Sequence, residues 1–451
     1  MGKRVIFFLV FIINFSLCLA FGSSEVYIDV TKPGFKKIVI AIPNFYRDGS
    51  FQKEDNLSKE MAKILVNDLR ISGLFEVIDN PLFLSAMAES EGNVKVDFNQ
   101  WRVLGAQALV KADYTLGEDK KLMIKCRLYD LLREEQVLGK VYRGEQNLLR
   151  RMVHRFSDEI VLKLTGEKGM AQTKITFISD VSGHKELYTI DFDGHNLERL
   201  TRNRSIALSP AWSPGGKRIA YTSYHEGNPD LYFISSDGTR QVAVSTFPGL
   251  NATPDWSPDG SRIALTLSKD GNAEIYIFKV DGTDFQRLTR HRSSDWSPSW
   301  SPDGEKIAFG SDRTGTPEIY IMNKDGGDVR RLTHQGSYND SPAWSPKGDF
   351  IAFASRQKGL FDIWVIGSDG KNAQRLTSNS GNNENPYWSP DGRYIVFSST
   401  GGGTRDVYIM NSDGSNQRRL TFLGGNNYCP SWSPRDSREA FGNSAQEGGE
   451  N

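Results

Sequence analysis

The chain has 451 residues, and its 55 lysines and arginines equal its 55 aspartates and glutamates, so the formal net charge is zero. No block of like charge interrupts that balance, which excludes the electrostatic footprint of a protein that holds nucleic acid or an anionic membrane. Composition is that of a folded, neutral, exported protein.

At the N-terminus, Lys3 and Arg4 precede an apolar run from Val5 to Phe15 and small residues at Ala20 and Gly22. This is the pattern of a secretory signal peptide, too short to stay as a membrane span. Residues 1–22 are assigned to it, with cleavage expected after Ala20 or Gly22. Leu17 stands where a lipid-modified Cys18 would need a small residue, so lipidation is not expected. No later segment approaches about 18 continuous apolar residues, and the mature protein is expected to be soluble and not inserted in a membrane.

Residues 23–166 read as a small α+β domain. Segments 26–30 and 38–42 are short apolar or alternating runs and read as strands. Leu57, Met61, Ile64, Leu65 and Leu69 fall at helical spacing, with Asp55 or Asn56 as cap and Gly73 as stop. A strand at 75–78, a short helix at 101–106 and strands at 111–116, 122–129 and 136–142 follow. Asn147 is read as the cap of a helix carrying Leu148, Met152, Phe156, Ile160 and Leu164, which Gly166 ends. Strands and helices mixed in this way build one sheet with helices on it. Residues 167–174 are the linker.

From 175 to 438 the chain repeats. Trp212, Trp256, Trp300, Trp344, Trp388 and Trp432 are spaced by 44 residues, each within Pro-x-Trp-Ser-Pro. Asp-Gly pairs at 193, 237, 281, 325, 369 and 413 keep the same register. Before each lies a β-branched and aromatic run such as Ile319-Tyr320-Ile321-Met322; after each comes Arg-Leu-Thr, replaced once by Ala243-Val244-Ser245. A further strand follows every Trp. Four short strands per unit, with a fixed period in this range and no helical stretch between, make propeller blades. The expected fold is mainly β with an α+β N-terminal domain: a six-bladed β-propeller of four-stranded blades. Each Trp is expected to pack between blades, and each Asp-Gly to turn a hairpin at positive φ. Asp191-Phe192-Asp193-Gly194 opens like a calcium loop, but the remaining ligands and closing Glu are missing. Gly215-Gly216, Lys347-Gly348 and Arg435-Asp436 replace the usual Asp-Gly after the Trp and are expected to be tolerated. Residues 439–451 are expected to form a disordered tail.

No nucleophile elbow, zinc-protease, phosphate-loop or Cys-x-x-Cys motif is present, so no catalytic residue, metal ligand or cofactor site is assigned. The six histidines have no metal-ligand spacing. Glu186, Asp230, Glu274, Glu318, Asp362 and Asp406 recur with the blades, which marks a structural cap or interblade bond rather than a catalytic pair. Cys126 and Cys429 lie in different domains, and free thiols are expected of both.

Five residues before each Trp stand Ala207, Asn251, Asp295, Asn339, Asn383 and Asn427; the next position varies freely through Leu208, Ala252, Trp296, Asp340, Glu384 and Tyr428. As loops, these segments converge on one mouth of the ring. Two readings of the constant amide stay open, an Asx turn and a binding rim. The variable position reads as a tunable surface with Trp296 and Tyr428 as aromatic anchors.

Together with the repeats, residues Glu25-Val26-Tyr27-Ile28-Asp29-Val30, Asp68-Leu69-Arg70-Ile71-Ser72-Gly73-Leu74-Phe75 and Leu164-Thr165-Gly166-Glu167-Lys168-Gly169 carry a resemblance. The chain resembles the TolB family, periplasmic components of the Tol-Pal system of Gram-negative envelopes. The resemblance implies a monomeric binding protein rather than an enzyme. It implies that the propeller mouth receives the lipoprotein Pal through Asn251, Ala252, Thr253, Asp295, Trp296, Asn339, Asp340, Asn383, Glu384, Asn427 and Tyr428. It also implies that Glu25, Val26, Tyr27, Ile28, Asp29 and Val30 engage inner-membrane TolA, adding as a strand to a partner or docking on their own domain. Other outer-membrane proteins are further partners to consider. The rival readings are a saccharide- or peptidoglycan-binding propeller and a peptidase-type propeller, the latter lacking any domain to hold a nucleophile.

Overall fold

The computed structural model describes residues 36–48, 55–80, 84, 87, 96–357, 359–378 and 381–435. The signal peptide, the segment 25–30 and the tail 439–451 lie outside the described residues.

The N-terminal domain is built on one mixed sheet. Its strands are β1 (Ile38–Ala41), β2 (Tyr46–Arg47), β3 (Phe75–Val77), β4 (Ala108–Leu116), β5 (Lys121–Asp130) and β6 (Glu135–Glu145). They run β3-β1-β4-β5-β6, with β2 paired to β4. β1 is parallel to both neighbours, and β4, β5 and β6 are antiparallel. Helix α1 (Asn56–Ile71) buries Met61, Ile64, Leu65 and Leu69, one stripe at helical spacing. Asp55 caps it by accepting from Ser58 N at 3.0 Å. A short helix α2 (Phe98–Val103) starts earlier than its apolar pattern suggests, because Asp97 accepts from Asn99 N and Gln100 N and fixes the first turn there. Helix α3 (Leu149–Thr165) lies beside α1. Asn147 does not cap it. Gln146–Leu148 already form a 3-10 turn, so Asn147 lacks the extended backbone of a cap, and Leu148 takes that place without a side-chain bond. Gly166, at φ +74°, ends α3 in a left-handed cap whose N–H reaches Leu162 O at 2.9 Å.

The rest of the described chain is a propeller of six four-stranded sheets. The innermost strands are Ala207–Trp212, Asn251–Trp256, Asp295–Trp300, Asn339–Trp344, Asn383–Trp388 and Asn427–Trp432. Each touches the next, and Asn427–Trp432 touches Ala207–Trp212, which closes the ring. The blades are out of phase with the repeat. Asn427–Trp432 pairs antiparallel with Lys174–Ser179, so the first blade joins the last described strand to the first three of the domain. The remaining blades, two to six, begin at residues 207, 251, 295, 339 and 383. Opening the ring therefore means breaking hydrogen bonds within a sheet, not merely parting two faces.

The segments read from sequence as loops before each Trp are strands. They carry no apolar alternation, yet each pairs with the strand after it, as in Asn251↔Leu267 and Trp256↔Ile263. A bulge interrupts every pairing, and its third residue sits at positive φ: Ser209, Thr253, Ser297, Ser341, Asn385 and Cys429, at 46° to 54°. That extra residue breaks the ladder and twists the strand near its start.

The tryptophans bridge blades. Trp256 stacks on Phe233 of the preceding blade at 4.9 Å and donates to Ala211 O at 3.1 Å. Trp388 donates likewise to Ala343 O, and Trp432 to Thr173 Oγ1. The Asp-Gly glycines all have positive φ. At Gly326 a Cβ would also lie 2.5 Å from Leu288 O of the neighbouring blade, so the turn is pressed against it.

Four of the six repeated carboxylates, Asp230, Glu318, Asp362 and Asp406, reach the inner strand of the next blade. Glu318, buried, accepts from Arg331 and from Thr333 Oγ1 at 2.5 Å, both in the Arg-Leu-Thr of its own blade, and from Asn339 Nδ2 of the next at 2.8 Å. Asp362 and Asp406 repeat this with Asn383 (3.3 Å) and Asn427 (3.0 Å). A buried charge held by a guanidinium, a hydroxyl and an amide is satisfied, and it ties the outer strand of one blade to the inner strand of the next.

Candidate functional site

Each innermost strand starts at one mouth of the channel and reaches its Trp at the other. Antiparallel pairing then puts the post-Trp turns and the Asp-Gly turns at the Trp end, and the junction loops between blades at the start. The N-terminal domain sits at the Trp end, against blades one and six. Arg150 of α3 pairs with Asp193, Tyr394 OH donates to Ile71 O, Arg393 pairs with Glu167, and Arg435 donates to Lys168 O at 2.9 Å. The far mouth is left uncovered by the described residues of this domain.

At the far mouth the two positions singled out in the sequence part company. Asn251, Asp295, Asn339, Asn383 and Asn427 have no exposed surface. Asn251 donates to Phe247 O, Gly249 O and Pro229 O and accepts from Phe247 N. Asp295 pairs with Arg313 at 2.5 Å. These side chains fasten the junction loop and the preceding blade, and the Asx-turn reading fits them. Ala252, Thr253, Trp296, Asp340, Glu384 and Tyr428 are half-buried, and together they line the mouth.

Few of these are free anchors. Trp296 Nε1 donates to Asp340 Oδ1 of the next blade at 2.7 Å. Its indole lies across Gly310, its approximate cross-strand neighbour, where a Cβ would sit 2.8 Å from Nε1. That glycine, in the middle of a strand, is the signal that a large ring lies over it. Burial raises the Asp340 pKa, and the Trp296 bond opposes that. Glu384 pairs with Arg405, and Tyr428 donates to Asp180 Oδ2 at 3.3 Å with Lys185 over its ring at 4.8 Å. The mouth is a preorganised, laterally bonded ring.

Deeper in the channel the inner strands place Ala211, Asp255, Ser299, Ala343, Tyr387 and Ser431 at one level. Asp255 accepts from Trp300 N at 2.7 Å, and burial pushes its pKa up to about 7. It keeps a little accessible surface toward the channel while protein surrounds it on the other sides. Tyr387, three blades away, feels its charge.

The junction between the domains has no local signal in the sequence. His154 Nδ1 lies 2.7 Å from Asp68 Oδ2, and Asp193 completes a group of candidate metal-ligating atoms within 4.8 Å of one another. Burial pushes the Asp68 pKa up to about 6; burial also works against the His154 imidazolium, but the Asp68 bond outweighs it and the His154 pKa lies above its usual value. With Asp68 bonded to His154 and Asp193 to Arg150, the group reads as an ion-pair network seating one domain on the other. Asp158, also raised to about 6 by burial, accepts from Ala171 N at 2.7 Å and pins the linker to α3. Cys126 and Cys429 are free. Among the described residues no helix is long and apolar enough to cross a membrane, which says nothing of strand barrels.

The family described as TolB beta propeller domain matches residues 161–363 and 338–450, and that described as TolB amino-terminal domain matches 26–137. The chain is similar to "Tol-Pal system protein TolB" of Geobacter sulfurreducens, 46% identical over 197 residues, covering 44% of this chain and 45% of the relative. The protein of the same description in Syntrophotalea carbinolica is 40% identical over 204 residues, 45% of this chain and 47% of the relative. The chain thus spans a little under half the length of these curated relatives in its matches. The crystal structure of TolB from Acinetobacter baumannii superposes with a TM-score of 0.74 at 26% identity, covering 89% of this chain and 97% of that one.

Proposed function

The chain belongs to the TolB family, and we propose on that footing that it is a periplasmic protein-binding scaffold of the Tol-Pal envelope complex. In this reading the far mouth of the propeller receives the outer-membrane lipoprotein Pal, and residues 25–30 engage inner-membrane TolA. Such a bridge would support outer-membrane integrity and envelope constriction at division. The observation that carries the reading is the asymmetry of the ring. The N-terminal domain is seated at one end, against blades one and six, whereas the other end presents half-buried residues that differ from blade to blade over a buried layer that is Asn or Asp in five of the six blades. A constant frame under a variable surface supports recognition of one shaped partner.

The test is retention of Pal from detergent-solubilised envelope by the mature protein, compared with a Trp296→Ala, Ala252→Glu variant of unchanged thermal stability. Retention by wild type and loss by the variant supports the reading. If wild type retains no Pal, the partner is wrong, and saccharide titration of the same mouth is the next measurement. Deleting residues 25–30 is expected to abolish TolA binding and leave Pal binding intact or tighter; loss of both would sink the assignment of that segment.

A further inference from the structure

The far mouth is electrically lopsided although the whole chain is neutral. The loop from the first blade to the second carries Arg202 and Arg204, and the loop from the third to the fourth carries Arg290 and Arg292; all four are exposed. None of them makes an ion pair with any described residue. The junction between these two loops, at 246–250, and the three on the opposite side, at 334–338, 378–382 and 422–426, carry no lysine or arginine. The rim on that side has Asp340 and Glu384 instead. Of the other arginines near the mouth, Arg313 is engaged by Asp295 and Arg405 by Glu384, and Arg356 lies over the rings of Tyr338 and Phe361.

The four free guanidiniums are held on fixed loops. Glu186 accepts from Asn203 N and Arg204 N, and Glu274 accepts from His291 N, between Arg290 and Arg292, at 2.8 Å. Two of the repeated carboxylates thus set the loops that display the charges. Between the two pairs lie exposed apolar side chains, Ile206 at 42% and Leu250 at 37%, with Leu208, Ala252 and Trp296 on the channel side.

We infer that this sector of the mouth is built for a partner-protein segment that carries carboxylates beside an apolar side chain. The carboxylates meet Arg202, Arg204, Arg290 and Arg292, and the apolar group lies over Leu208, Ala252 and Trp296. A guanidinium presents a fork that fits a carboxylate, and the apolar inlay between the two pairs favours a peptide over a phosphate surface. The inference rests on reading the mouth as the partner-binding face and adds the chemistry of what it binds.

The deciding experiment is fluorescence anisotropy of the mature protein with a labelled peptide Glu-Asp-Trp-Leu-Asp-Glu and its counterpart Lys-Lys-Trp-Leu-Lys-Lys. Wild type is expected to prefer the acidic peptide and to lose that preference as salt is raised. The Arg202→Gln, Arg204→Gln, Arg290→Gln, Arg292→Gln variant is expected to bind it roughly tenfold or more weakly, the sum of four exposed charge contacts. Trp296→Ala is expected to weaken both peptides. Absence of any preference for the acidic peptide, or a preference that survives in the quadruple variant, overturns the inference. So does arginine-dependent binding to phosphatidylglycerol vesicles with none to the acidic peptide. A parallel titration with the soluble domain of the lipoprotein separates the two levels. If that domain does not bind while the acidic peptide does so through the arginines, the named partner is wrong and the chemistry of the mouth stands.

Discussion

Blades two and three use the same four-stranded plan with different fastenings. In blade three Glu274 is held by Arg287 at 2.9 Å, Thr289 Oγ1 at 2.5 Å and His291 N at 2.8 Å, and the outer strand is only Gln286–Arg287. In blade two Asp230 has no arginine. Asn228 Nδ2 serves it at 2.5 Å, Asn251 reaches it at 3.5 Å, and the outer strand runs on as Gln241–Ser245 with Val242 about half exposed at 48%. The blade shape therefore does not depend on the ionic latch. What the latch does is end the outer strand after two residues and turn the chain inward, which keeps each blade from offering a long open edge.

The largest expected effect lies at the interblade tryptophans of these two blades. Trp256→Ala and Trp212→Ala each remove a buried indole and are expected to cost about 3 to 5 kcal/mol in urea unfolding. Replacement by Phe separates them. Trp256 Nε1 donates to Ala211 O, whereas Trp212 Nε1 has no acceptor, so Trp256→Phe is expected to cost roughly 1 kcal/mol more than Trp212→Phe. Equal costs would show that the interblade bond contributes nothing beyond packing.

Next comes the latch. Glu274→Ala leaves Arg287 and Thr289 without their carboxylate and is expected to cost about 3 kcal/mol, as breaking a buried ion pair does. Asp230→Ala removes only amide bonds and is expected to cost about 1 to 2 kcal/mol. Urea midpoints in the wrong order would show that the arginine serves the outer strand alone.

Most of this architecture was legible because it repeats. Six tryptophans, six Asp-Gly turns and six carboxylates in one register predict the blades, their interblade packing and the structural role of Glu186 and its equivalents. The inner strand reads as a loop in sequence because Asn251-Ala252-Thr253-Pro254-Asp255 lacks the period-two pattern that marks strands elsewhere. Its pairing comes from the ring, and its inward side faces a channel rather than a core. The same feature left the rim half legible: the variable position lies at the mouth, but the constant amide is buried, since its partners are backbone atoms of another loop. Ring closure was not legible at all, because the pairing of residues 427–432 with 174–179 is invisible to any local pattern. Nor was the bond of His154 to Asp68, which depends on two helices 86 positions apart in the chain.

A smaller effect separates blades two and three in the channel, where Asp255 holds the position that Ala211 holds in blade two. Burial holds the Asp255 pKa at about 7, against about 4 in an unfolded chain. The folded state therefore binds more protons than the unfolded state between those values, and stability falls as pH rises from 4 to 7. Asp255→Asn keeps the acceptor for Trp300 N and removes the titration. The variant is expected to match wild type near pH 4 and to be more stable at pH 8 by about 1 to 3 kcal/mol, the channel's water reducing the full burial penalty. A constant difference across that range would mean that Asp255 ionises in the folded protein as it does unfolded.

The smallest difference concerns the bulge. Thr253 sits at φ +50°, a region costly for a β-branched residue, and Asn385 occupies the equivalent place in blade six at +54°. Both reach the neighbouring strand from there: Thr253 Oγ1 lies 2.7 Å from Thr266 Oγ1, and Asn385 Oδ1 accepts from Ser398 Oγ at 3.1 Å. Asparagine thus provides the same lateral bond with less backbone strain. Thr253→Asn is expected to stabilise by about 0.5 kcal/mol, and Asn385→Thr to destabilise by about 1 kcal/mol, on the ordinary scale of left-handed backbone costs. Opposite signs would mean that the bulge is held by the following proline and the ring, so that the residue at its apex is free to change with the partner it faces.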